Sequence, residues 1–186
     1  MQALALRAFE VAPQRVETST TLFLSQFAAQ RFDGAFSLAR RLLRETPNSP
    51  LLSALVGAAY LSRGGFDEGA ALLSPLENGP FGMPGFAIPL AALAAYMRDD
   101  ETTAERLASR ASIARHSIGL VMRIVICARQ MDQTCVSQAS QQLRRDYPGF
   151  AADVPTALSR HALADGIKAK LIADLRAAGF FDETAR

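Results

Sequence analysis

At 186 residues, 49% hydrophobic and 20% charged, the chain is long enough to bury one sizeable core and too apolar to be disordered. A net charge of +2 argues against a nucleic-acid footprint, and the longest apolar run, 86–97, contains Pro89 and falls short of the about 20 residues a membrane span needs. Two cysteines, Cys127 and Cys135, are too few for a disulfide scaffold, and their apolar or helical surroundings lead us to expect reduced thiols and a cytoplasmic protein. The pairs Arg40-Arg41 and Arg144-Arg145 lie near acidic residues and read as solvated helix faces. The start of the chain lacks the basic and apolar pattern of a secretory signal.

In chain order, ALALRAFEVAP (3–13) has the apolar spacing of a short helix and is stopped by Pro13. RFDGAFSLARRLLRETPNSP (31–50) and GFDEGAALLSPLENGP (65–80) share a pattern, with Phe32-Asp33 and Phe66-Asp67 standing 34 residues apart. Ala8 and Pro13 lie the same distance before Leu42 and Pro47, so residues 3–13 are in phase as the second helix of a pair. Leu4, Leu6 and Phe9 would need a cover, since terminal repeats carry polar outer faces. The expectation is therefore a chain that continues a longer protein, with a genuine half-repeat start as the alternative.

Ser49 is an N-cap candidate with Pro50 at the first helical position, and Gly64-Gly65 ends that helix. A third pair is expected at 86–98 and 101–114. A fourth spans 116–130 and 132–148, with Asp132 as cap and Pro148 as stop. VPTALSRH (154–161) and DGIKAKLIADLRAAGFF (165–181) form a closing pair, the latter with Asp165 at its start and Gly179 as stop.

A period of about 34 is that of helix–turn–helix tetratricopeptide repeats. Phe32, Ala35, Leu42 and Pro47 match that family's pattern, as do Phe66, Gly69 and Leu76. Val56, Gly57 and Tyr60 resemble its Leu-Gly-x-x-Tyr. The tail, Pro148-Gly149-Phe150 and Leu175-Arg176-Ala177-Ala178-Gly179-Phe180, resembles the end of bacterial regulators in which such a domain follows a nucleotidyl cyclase or winged-helix DNA-binding effector. The resemblance implies an all-α, tetratricopeptide-like right-handed solenoid of antiparallel helix pairs, roughly ten or eleven helices in one domain. Its parts are a half repeat (1–15), repeats at 16–49, 50–83 and 84–115, a degenerate repeat at 116–150, and capping helices at 151–186. It also implies a protein-interaction or regulatory module, the C-terminal part of a larger bacterial signalling or transcription protein. The alternatives are a free-standing adaptor that dimerises through the half repeat and, third, a small-ligand sensor or enzyme domain.

No arrangement for chemistry is apparent. His116 and His161 stand far from metal-ligand spacing, Cys127 lies in an apolar helix, and the Asp99-Asp100-Glu101 run suits helix capping better than Ca²⁺. The expectation is no enzyme, no metal, no cofactor and no direct nucleic-acid or membrane contact. The partner is expected to be a protein or peptide. In solenoids of this type the first helix of each pair lines the concave face, which here means Thr20, Leu24 and Phe27, then Ala54, Ala58 and Leu61, then Pro89, Leu93 and Tyr96. These residues give an apolar peptide groove, or a face closed by the chain's own last helix or a second copy. The loop ENGPFGMPG (77–85) cannot continue a helix. Its Phe81 and Met83 are expected to plug the groove or touch a partner.

Overall fold

The computed structural model describes residues 2–80, 82–113 and 116–181. It is all-helical, with twelve helices and no strand among the described residues: α1 Gln2–Val11, α2 Val16–Ala28, α3 Phe32–Glu45, α4 Pro50–Ser62, α5 Phe66–Glu77, α6 Ile88–Met97, α7 Glu101–Ile113, α8 Ser117–Arg129, α9 Gln133–Asp146, α10 Pro148–Ala152, α11 Val154–Ser159 and α12 Asp165–Ala177. α10 is an element beyond the expected ones: Pro148 stops α9 and, with its fixed φ, starts the next turn of helix.

The boundaries follow local chemistry. Ser49 accepts a hydrogen bond from the Leu52 amide with Pro50 in the first turn of α4, and Asp132 accepts from the Cys135 amide to begin α9. Several helices end on a residue in the left-handed region. Gly64 and Gly179 adopt it at no steric cost, whereas Gln30, Asp99 and Met131 adopt it as non-glycine residues. Each helix packs on the next through most of the chain, and α6 also packs on α4 and α8. Glycines permit the closest approaches. A Cβ on Gly119 would stand 2.7 Å from the Ala111 carbonyl oxygen, and one on Gly69 would stand 2.9 Å from the Gly57 carbonyl oxygen.

Two apolar clusters lie on either side of α4. Leu52, Val56 and Ala59 join a small one with Phe23, Ala35, Ala39 and Leu42. Ala54, Ala58 and Leu61 join a large one that runs through α6, α7, α8 and α9 to Ile167, Leu171 and Leu175 of α12. α1 adds only Ala5 to the buried set. It packs along α2, and Arg41 of α3 lies beside it, donating to the Pro13 carbonyl (2.9 Å) and Ser19 Oγ (3.3 Å) with its guanidinium 5.4 Å from the Phe9 ring centre. No described helix is long and apolar enough to cross a membrane.

Candidate functional site

The residues expected on one continuous face divide sharply. Ala54, Ala58, Leu61, Pro89, Leu93 and Tyr96 are buried. The chain's own C-terminal segment packs into the cluster that most of them belong to, and Leu61 also lines a cavity between α5, α6 and α7. The Ala164 amide donates to the Ser62 carbonyl at 2.8 Å, Arg63 donates to the Ala162 carbonyl at 3.2 Å, and the Tyr96 hydroxyl donates to Asp174 Oδ2 at 2.6 Å. Burial first, then the Asp174 hydrogen bond, raise the Tyr96 phenol above its ordinary value and hold it protonated as a donor. Arg129 and Lys170 flank its ring at 4.1 and 5.1 Å.

The remaining three, Thr20, Leu24 and Phe27, sit on α2. Phe27 is drawn into an aromatic group, edge-on to Phe32 at 5.3 Å and to Phe36 at 6.1 Å. Leu24 stays 42% exposed and forms, with Leu4, Ala5 and Ala8 of α1 and Ala28 and Ala29 beyond it, an apolar groove of about 740 Å³. Leu4 at 71% and Val11 at 85% exposure extend the apolar surface along α1. The alanines let a third helix approach closely and the leucines supply area to bury, which is the shape of a helix-docking groove. Of the apolar residues that the sequence marked on α1, Leu4 and Leu6 are exposed, and Phe9 is half-buried beside Arg41.

Of the two loop residues, Met83 is 7% exposed and joins the large cluster, and Phe81 lies outside the described residues. Met83 lines a second cavity, of about 310 Å³, between α5, α6 and α7. Sequence spacing missed this cavity because it arises from what two positions lack.

The two histidines, 45 residues apart, meet with ring centres 5.5 Å apart. His161 Nε2 lies 3.1 Å from Ser117 Oγ, and His116 Nδ1 accepts from the Ile118 amide as the cap of α8. Burial, and then the neighbouring His116, push His161 down to about 4, and burial lowers His116 too. Ser117 is itself 7% exposed, so this pair closes polar groups beneath the tail instead of presenting a nucleophile. Asp100 accepts from the Thr103 amide and begins α7, as its capping role implied. Among the described residues, no group of three or more His, Cys, Asp or Glu side chains could hold a metal.

The cysteines correct the expectation of reduced thiols. Cys127, near the end of α8, and Cys135, in the first turn of α9, form a disulfide with Cα atoms 5.9 Å apart. The tight turn through left-handed Met131 folds α9 back on α8 and brings the two positions within bridging distance. Sequence separation and apolar context did not reveal this. No protein-family model and no curated protein matches the chain.

Proposed function

We propose that this chain is a protein-interaction module that docks an apolar helix of a partner protein in the groove between α1 and α2. The observation that carries the reading is the exposed apolar surface of Leu4, Val11 and Leu24 around an alanine-lined groove; Leu51, Phe86 and Met131, exposed elsewhere, do not line it. The helix pairs and the left-handed residues at Gln30 and Gly64, 34 positions apart, support a tetratricopeptide-like right-handed solenoid as the scaffold. In this reading the chain is the regulatory part of a larger bacterial signalling or transcription protein and carries no catalysis of its own. The Cys127–Cys135 disulfide favours an oxidising compartment over the cytoplasmic one expected from the cysteine context.

The alternative is homodimerisation through the same face, which the self-similar apolar stripe of Leu4 and Val11, seven residues apart on α1, favours. A photoreactive side chain at position 24, activated in the source cells, distinguishes the two. An adduct with a different protein supports the partner reading. An adduct of twice the chain's own mass supports the dimer. The absence of any adduct contradicts both.

A further inference from the structure

The seams between successive helix pairs are filled unequally. Between α3 and α4, Phe36 and Tyr60 stack with ring centres 4.5 Å apart and planes inclined by 23°. Counting from the first residue of α3 and of α5, the position of Phe36 corresponds to Ala70. Counting back from the left-handed residue after each helix, Gly64 and Asp99, the position of Tyr60 corresponds to Ala95. Both rings are thus replaced by methyl groups in the second seam, and Ala70 and Ala95 line the cavity of about 310 Å³ found there. In the third seam the same count places Cys127, tied to Cys135, where Tyr60 stands in the first.

The cavity has a built apolar interior and a polar mouth. Leu73, Met83 and Leu107 form its wall. At the mouth, Glu77 is engaged by Arg106 and Arg110, and the Asp100 carboxylate is occupied in capping α7. Arg98 is held least firmly. Its side chain is 51% exposed, and it is paired at 3.7 Å with Asp67, a carboxylate 92% exposed to water. An exposed pair of that kind contributes little, so a second carboxylate can replace Asp67 at small cost. The volume falls in the range of small-ligand sites, and a space emptied of two aromatic rings suits an aromatic ring.

We propose that the seam between α5, α6 and α7 binds a small aromatic carboxylic acid, its ring taking the place of the missing Phe36–Tyr60 stack and its carboxylate meeting Arg98. The wall holds the ring by burial, and the guanidinium fork orients the acid group outward. The probe is 3-phenylpropionate, titrated against the intact chain while methyl signals are followed by NMR. Saturable shifts are expected at Leu73, Met83 and Leu107 and not at Leu4 or Leu24. Arg98→Gln, a change at a half-exposed side chain, should weaken binding about tenfold. The neutral alcohol 3-phenylpropanol should bind the unaltered chain about as weakly as the acid binds that variant. Ala70→Phe should restore the stack's bulk and abolish binding. Absence of saturable shifts, shifts centred on the α1–α2 groove, or affinity unchanged in Arg98→Gln would each overturn the proposal. The Arg98 variant keeps the test decisive if the larger side chain at position 70 prevents folding.

Discussion

The α1–α3 end and the α8–α12 end are both all-helical, yet one leaves an apolar face exposed and the other packs its last helix into the core. At the C-terminal end, α12 lays Ile167, Leu171 and Leu175 into the large core, and the Tyr96–Asp174 and Ala164–Ser62 hydrogen bonds fix its position. At the N-terminal end, Ala5 is the one buried side chain among those described on α1, and the helix rests on α2 with Arg41 beside Phe9. The difference lies in what each helix buries: Ile167, Leu171 and Leu175 for α12, and Ala5 among the described side chains of α1.

The sharpest way to break this comparison is to truncate a leucine at each end. Leu171→Ala, at a fully buried site, should cost about 2–5 kcal/mol in chemical denaturation, whereas Leu4→Ala should stay within about 0.5 kcal/mol. Similar losses at both positions would mean that α1 is covered after all. Glycine substitutions come next in size. Gly119→Ala drives a methyl against the Ala111 backbone and should cost about 1–3 kcal/mol, while Gly34→Ala meets only the Gln26 side chain, which can swing aside, and should change stability by about 0.5 kcal/mol or less. Thermal melts of the two variants check this.

The smallest effect concerns pH. The folded chain holds His161 at about 4, below its ordinary value of 6.5, so the unfolded chain binds this proton more tightly. The stability contributed by neutral His161 is therefore complete above pH 6.5 and is lost as pH falls from 6.5 towards 4. Between about pH 7.5 and 5.5 the unfolding constant should rise about tenfold through this group, as read from urea midpoints. His161→Gln should flatten that dependence, and an unchanged slope would show that the tail is not closed through the histidine pair.

Much of the helix layout was legible in the sequence because its signals are local. Ser49-Pro50, Asp132, Gly64 and Gly179 act on the turn they sit in, and each starts or stops a helix where expected. The exposed apolar side chains of α1 were legible in part: Leu4 and Leu6 of its apolar stripe stand exposed, whereas Phe9 is half-buried beside Arg41. What was not legible depends on contacts between distant segments. The Tyr96–Asp174 hydrogen bond, the meeting of His116 with His161 and the Cys127–Cys135 bond all follow from how the tail and turns fold back. The seam cavity is a third case. Ala70 and Ala95 are ordinary helix residues until they are placed beside Phe36 and Tyr60.

The central claim, that α1 keeps an exposed apolar face while α12 packs into the large core, is tested most directly by amide hydrogen exchange of the dilute chain, resolved by segment. The account predicts that α1 and the exposed side of α2 exchange orders of magnitude faster than α8 and α12, whose opening requires the large core to come apart. Protection of α1 equal to that of α12 in the dilute chain would contradict it.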